Sequence, residues 1–278
     1  MPEFPEVHHQ VAWLRARVTG WVIEEHGHFG AHFPELKGDP ARGAKLDAFF
    51  RGATLRSVTQ RGKHIVMALS TGTATSHLMH AGRWTLSDEP YVSGYRHHQA
   101  QPDPKASSFW LVARGRRLEF NEPERRGKVR AHAGATSAQV DELAKLGPDV
   151  LITPESDPAY PRAWAAGDLR QALSASRRSV KEVLLDQERQ AGIGNMYACE
   201  ALYRARVAPN RAGGAVTPDA ADALHDAVVS LMSSVIASDL AYGDVMQVYR
   251  REVDPLGRAV QVIKIGGRDT WWVPEAQR

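Results

Sequence analysis

The sequence predicts an α+β protein: a strand-rich first half led by one helix, then a helical second half that ends in a β-hairpin. Three observations carry this. From about Gly20 to Val129, short apolar runs alternate with Gly, Pro and Asp turns, as antiparallel strands require. From Pro161 to about Ser238, Ala, Leu and Val recur at spacings of three and four, the period of a buried helix face. Ahead of both, Val7, Val11, Leu14 and Val18 share one helical face.

The leading helix follows Pro5, and Gly20 ends its pattern. The apolar runs that follow are Trp21-Ile23, Thr54-Thr59, His64-Leu69, Thr75-Leu78, Phe109-Ala113 and Arg117-Phe120, and they suggest a sandwich or barrel. The Pro-, His- and Gln-rich stretch from Asp88 to Lys105 reads as a long loop. These features place a first domain at 1–133 and a connection at 134–160 that contains Leu146-Gly147-Pro148-Asp149. A helical domain follows at 161–244, and a terminal segment at 245–278. In that segment Val260-Lys264 and Thr270-Val273 flank the Gly-rich turn Ile265-Gly266-Gly267-Arg268-Asp269, with Arg268 at its tip.

Of the 278 residues, 43% are hydrophobic, enough for real cores. No run of about 18 uncharged apolar residues occurs, so no membrane span is expected. Acids stand at the N-terminus where a signal peptide has a basic region, and a cytoplasmic protein is expected. Cys199 is the single cysteine, which excludes an intramolecular disulfide and a Cys-rich zinc site. Net charge is only +3, but basic residues cluster at Arg114-Arg116-Arg117, Arg125-Arg126-Lys128-Arg130, Arg177-Arg178-Lys181 and Arg250-Arg251. Such clusters suit a polyanion or form solvated faces.

Two stretches carry chemistry. Removal of Met1 from Met1-Pro2-Glu3-Phe4-Pro5-Glu6 exposes Pro2 as a secondary amine beside a carboxylic acid. A secondary amine attacks an electrophilic carbon and forms an iminium readily, and the acid can move the protons this needs. The bland alternative is a Pro at the start of a helix. The second stretch, Gln190-Ala191-Gly192-Ile193-Gly194-Asn195-Met196-Tyr197, joins two helical segments. A glycine turn that opens a helix offers free N–H groups and a positive dipole end to phosphate. Asn195 either caps that helix or donates its amide to a phosphate oxygen. His26, His28 and His32 are a weak metal candidate, since no carboxylate or Cys completes a site.

Together these motifs resemble the Fpg/Nei family of bifunctional DNA glycosylases, formamidopyrimidine-DNA glycosylase and endonuclease VIII. Met1-Pro2-Glu3-Phe4-Pro5-Glu6-Val7 is similar to the family's MPELPEV start, and Arg61-Gly62-Lys63-His64 to its RRGK strand. His77-Leu78-Met79-His80-Ala81-Gly82 resembles HLGMSG, and Leu146-Gly147-Pro148-Asp149 resembles LGPEP. Gln190-Glu200 resembles the helix-two-turns-helix signature, and Val248-Tyr249-Arg250-Arg251 the VYGR that opens a zinc finger. Six motifs in order span about 250 residues.

The resemblance implies an N-terminal β-sandwich with a leading catalytic helix, a helix-two-turns-helix domain and DNA in the cleft between them. It implies that Pro2 attacks C1′ of a damaged nucleotide, that Glu3 shuttles protons, and that β- or δ-elimination then cuts the strand. Lys63 would hold phosphate near the lesion, while Asn195, Gly194 and Arg268 would grip the flanking phosphates. His77, His80, Arg125 and Arg126 would contact DNA, and Glu6 and Glu200 would support the site or act as plain structural carboxylates. The expected partner is double-stranded DNA with a damaged base or abasic site. A monomer is expected, acting at the nucleoid without a cofactor or metal. C1′ is shielded in stacked duplex, so the nucleotide must be extruded whatever the family.

The sequence departs from the pattern in three places. The four finger cysteines are replaced by Leu256, Ala259, Val273 and Ala276, which implies a zincless finger held by packing, helped by Trp271 and Trp272. In the wedge that fills the hole left by extrusion, His80, Glu124 and Arg126 replace Met, Arg and Phe. Glu124 beside DNA is repulsive, while His80 and Arg126 can stack on a base. The stretch Ser238-Asp244 is shorter than the loop of 8-oxoguanine enzymes, which disfavours that lesion. The rival readings are a family member that only binds or only cleaves damaged, abasic or crosslinked DNA, and an RNA-binding protein.

Overall fold

The structure is a computed structural model that describes residues 2–28, 32–89, 107–124, 126–174, 176–238 and 245–278. The chain divides into two compact units. Unit 1 comprises residues 1–2, 6–145 and 153–161, and unit 2 comprises residues 3–5, 146–152 and 162–278. The segment 134–160, read from sequence as a connection, is therefore shared out: 146–152 belongs to the second unit and the rest to the first.

Helix α1 (Phe4–Val18) stops at Gly20, whose φ of +82° suits a residue without Cβ. In unit 1 the strands are β1 (Glu25–His28), β2 (Leu55–Arg61), β3 (His64–Leu69), β4 (Gly72–His77), β5 (Arg83–Leu86), β6 (Ser107–Ala113), β7 (Arg116–Asn121) and β8 (Lys128–Ala133). They form two antiparallel sheets, ordered β1-β6-β7-β5 and β2-β3-β4-β8. Inward residues of both sheets, such as Val58, Ile65 and Met67 on one and Phe109, Leu111 and Phe120 on the other, share one core. Val7, Val11, Leu14 and Val18 complete it, each fully buried. This is the expected sandwich; Phe109, Leu111 and Ala113 alternate inward along β6, while β3, β4 and β7 bury consecutive residues.

Three local expectations change. Trp21-Ile23 makes only one isolated bridge, Val22 to Thr54. Helix α2 (Arg42–Phe50) interrupts the strand region and buries Leu46, Phe49 and Phe50 in the sandwich core. Strand β1 (EHGH) was hidden from the pattern because it has no apolar residue. Helix α3 (Asp141–Ala144) buries Leu143 against Val66 and Val140.

Unit 2 holds α4 (Ala166–Ser174), α5 (Val180–Leu184), α6 (Asn195–Arg204), α7 (Pro218–Ser238) and the hairpin β9 (Gln261–Ile265) to β10 (Arg268–Trp272). Helix α5 starts with a capping box, Ser179 accepting from the Glu182 N–H while the Glu182 carboxylate accepts from Ser179 N–H. Helix α7 is long and apolar enough to cross a membrane by length and composition. It nevertheless packs on α4 and α6 and buries Leu224, Val228, Leu231 and Val235. The hairpin turns through Gly266 and Gly267, with φ of +57° and +74°. Two consecutive positive φ values match a two-residue turn of the type that follows strand twist. Arg268 pairs with Ile265 and closes that turn.

Candidate active site

In unit 2 the site is built on the N-terminus of α6. Gly194 is the N-cap and has no side chain of its own to cap the helix, so Asn195 is its first residue and not its cap. The end is filled by Glu3. Its carboxylate accepts from the N–H groups of Gly194 (2.8 Å), Met196 (2.9 Å) and Tyr197 (3.3 Å). Glu3 is 2% exposed. The positive helix end therefore holds a carboxylate of the same chain where the sequence suggested a phosphate, and the Gly194 N–H is taken. Gly194 has a spatial reason too: a Cβ there would lie 2.3 Å from Glu3 Cδ. Pro2, one peptide bond away, is buried.

Asn195 turns its amide to the finger, donating to the Asp269 carbonyl at 2.9 Å. Arg268 is exposed, and among the described residues its guanidinium makes no ion pair. Glu200 is fully buried and accepts from the main-chain N–H groups of Gln247 (2.9 Å), Val248 (2.8 Å) and Tyr249 (2.7 Å). It thus fixes the chain entering the finger. Of the four residues at cysteine positions, Val273 is buried, whereas Leu256 is 74% exposed and Ala259 is exposed. Apolar packing at these positions is therefore confined to one edge. Trp271 lies against Tyr249, ring centroids 4.6 Å apart.

In unit 1, Lys63 sits in the two-residue turn between β2 and β3, not on a strand, because Arg61 pairs with His64. It is buried to 8% exposure and its charge reaches His77. His77 ends β4, and its Nδ1 accepts the Met79 N–H at 3.0 Å. Burial, then the His64 and Lys63 charges, push its pKa down to about 3. A neutral ring with an accepting Nδ1 carries its proton on Nε2, which can only donate. A cavity of about 220 Å³ beside it is lined by His64, Thr75, Met79, Lys128, Arg130 and Glu142, among others. Glu6 is buried in the first turn of α1.

The two wedge segments meet. His80 Nδ1 lies 3.2 Å from Glu124 Oε2 and 3.5 Å from an Arg126 nitrogen, and Arg126 Nε lies 3.5 Å from Glu124. Glu124 thus pairs with Arg126 and lies within hydrogen-bond distance of His80, the two residues expected to stack, and it is not a bare repulsive charge. Arg125 and residues 239–244 lie outside the described residues. Sequence reasoning missed Glu122, which is fully buried and accepts from the N–H groups of Glu124, Arg126 and Gly127. Its signal was an acid directly before a Pro-containing turn.

The histidine-rich stretch serves the core. His32 Nδ1 accepts the Val129 N–H, and burial lowers its pKa to about 4. His26 pairs with Asp47 at 3.0 Å. No group of metal-ligating side chains occurs among the described residues. Several clustered arginines are also paired: Arg116 with Asp88 and Glu89, Arg117 with Glu119, Arg130 with Glu142, and Arg178 with Asp186.

Comparison with known proteins agrees with this architecture. The family model for the formamidopyrimidine-DNA glycosylase N-terminal domain matches residues 1–129, and that for the H2TH domain of the same enzymes matches 155–244. The formamidopyrimidine-DNA glycosylase of Ruegeria sp. (strain TM1040) is 30% identical, with all of both chains covered. The crystal structure of MutM (Fpg) from Thermus thermophilus is 28% identical over 99% of this chain and 98% of that one, with a TM-score of 0.78. The Lactococcus lactis enzyme, solved non-covalently bound to DNA containing an AP site, has a TM-score of 0.80 over 99% of each chain. At 22% identity that likeness concerns the fold alone. On these matches, taken with the two-sheet sandwich and the helix-two-turns-helix unit, the chain belongs to the formamidopyrimidine-DNA glycosylase family of DNA-repair enzymes.

Proposed function

We propose that this protein excises a damaged base from duplex DNA and then cleaves the strand as an AP lyase, with Pro2 as nucleophile. After removal of Met1, the Pro2 nitrogen attacks C1′ of an extruded nucleotide and the C1′–base bond breaks. The base leaves with the bonding electron pair and a proton. The sugar ring opens as its oxygen is protonated, which gives an iminium between Pro2 and C1′. Loss of a C2′ proton then expels the 3′ phosphate, and a second elimination expels the 5′ phosphate. In this reading Glu3 moves these protons.

The observation that carries this reading is the seat of Glu3. Three N–H donors and a helix end fix its carboxylate, one residue from the Pro2 nitrogen. Lys63, His77, Asn195 and Arg268 supply donors for flanking phosphates. The Arg268 guanidinium, without an ion pair among the described residues, supports its part in this. The short 238–244 stretch favours a lesion other than 8-oxoguanine. No cofactor and no metal enter the scheme, and the finger works without zinc as a monomer's own hairpin.

Borohydride trapping on abasic-site DNA tests it. The mature protein forms a covalent adduct, and Pro2→Gly and a form that keeps Met1 do not form the same one. A full yield of adduct from the Met1-retaining form, whose proline nitrogen is an amide, would remove Pro2 from the mechanism. A binder without catalysis would give no adduct at all.

A further inference from the structure

We infer that Lys181, acting with Asn195 and Cys199, is a polar latch that positions Arg268. This deepens the reading of Arg268 as a phosphate-holding residue and rests on it. Lys181 lies on α5 and is fully buried, as is Thr270 on β10. Its Nζ donates to Thr270 Oγ1 at 2.5 Å and to the Asp269 carbonyl at 3.4 Å. Thr270 Oγ1 in turn donates to the Arg268 carbonyl at 3.1 Å. A two-bond relay therefore runs from a buried ammonium to the main chain of Arg268.

Two side chains of α6 engage the same stretch. Asn195 Nδ2 donates to the Asp269 carbonyl. The Cys199 sulfur, 1% exposed, is hydrogen-bonded by the Trp271 main chain and lies against Lys181. Three consecutive residues of β10, Asp269 to Trp271, are thus each held by a side chain of the helices. A buried ammonium is costly unless its protons are used, and among the described residues no carboxylate pairs with this one. Here its identified hydrogen-bond partners are the finger strand and the Cys199 thiol, with the Glu3 carboxylate acting on it electrostatically.

The hairpin needs such a fastening. A two-stranded sheet is marginal alone. Val262 on β9 is 54% exposed, and only Ile265 of that strand is buried, so β9 contributes little packing. A guanidinium that must meet a phosphate at hydrogen-bond distance requires a fixed main chain. The latch supplies that where no side chain at the four cysteine positions can bind a metal. Lys181 is a positioning residue: it acts through β10 and touches no substrate.

Amide hydrogen exchange on the full chain and a double-mutant cycle test this. In Lys181→Met, amides of 261–272 are expected to exchange at least tenfold faster, while those of α6 and α7 keep the wild-type rate. Affinity for a duplex with an abasic analogue is expected to fall about tenfold in Lys181→Met. The same substitution in an Arg268→Ala background should cost less than twofold, because the residue it positions is gone. A merely structural role gives equal losses in both backgrounds and overturns the proposal. Unchanged exchange in 261–272 overturns it too. If Lys181→Met does not fold, Thr270→Val breaks the same relay with little change in volume and is read the same way. Should Arg268→Ala alone leave affinity unchanged, the phosphate reading of Arg268 fails. The exchange data still decide the latch, since they need no DNA.

Discussion

Replacing Glu3 with Gln preserves its size but removes the charge that three N–H groups and the α6 dipole complement. Removing a group that moves protons costs about 10²–10⁴-fold in rate. Glu3→Gln is expected to lose that much in single-turnover cleavage of abasic DNA, with affinity for an abasic analogue changed far less. A comparable loss in affinity would make Glu3 a structural anchor alone. Gly194→Ala tests the same seat from the other side. Its Cβ would stand 2.3 Å from Glu3 Cδ, so the carboxylate must move. We expect a loss of about 1–3 kcal/mol in stability, the usual cost of forcing atoms into a packed site, with cleavage reduced as in Glu3→Gln. Equilibrium denaturation and a cleavage assay measure both. Unaltered cleavage by a folded Gly194→Ala would detach the seat from the chemistry.

Among the elements, β4 and the wedge turn carry the next expectations. His77 at the end of β4 resists protonation until about pH 3, whereas an unfolded histidine protonates near 6.5. Between these values the unfolded chain binds more protons, so stability falls as pH drops from about 6.5 toward 3. His32, lowered to about 4, acts in the same direction. Thermal midpoints from pH 7.5 to 4.5 should therefore decline, and His77→Gln should flatten part of the decline. An identical pH profile in His77→Gln would show that the ring does not contribute. In the wedge, Glu124 holds both His80 and Arg126. Glu124→Gln frees both and removes a negative charge from a surface read as DNA-facing. Affinity for duplex DNA should rise by about 0.5–1 kcal/mol, the scale of one exposed ion pair. Weaker binding would mean that the carboxylate orders the wedge.

Over the full chain, 35 basic residues leave a net charge of only +3, and many arginines are spent on internal acids. A diffuse positive field is therefore small, and affinity must come from a few aimed cations. Arg268→Ala should lower the slope of log affinity against log salt by about 1, as for one phosphate contact. Arg178→Ala, which removes a partner of Asp186, should leave the slope unchanged. Equal slopes for wild type and Arg268→Ala would show that Arg268 does not neutralise a phosphate.

Periodicity and turn chemistry encode the secondary structure that could be read from the chain alone. The four valine and leucine positions of α1, strand β3 and the Gly266-Gly267 hairpin turn are local patterns, so they were legible. Strand β1 was not, because the EHGH segment has no apolar alternation and its pairing with β6 is a tertiary event. The family was legible for the same local reason, since its motifs are short and ordered. Which groups meet was settled by folding. Glu3 reaches residues more than 190 positions away, Glu124 meets His80 across 44 positions, and Lys181 grips a strand 89 positions on. Hydrogen bonds and ion pairs act over a few ångströms in space, and a sequence records only distance along the chain.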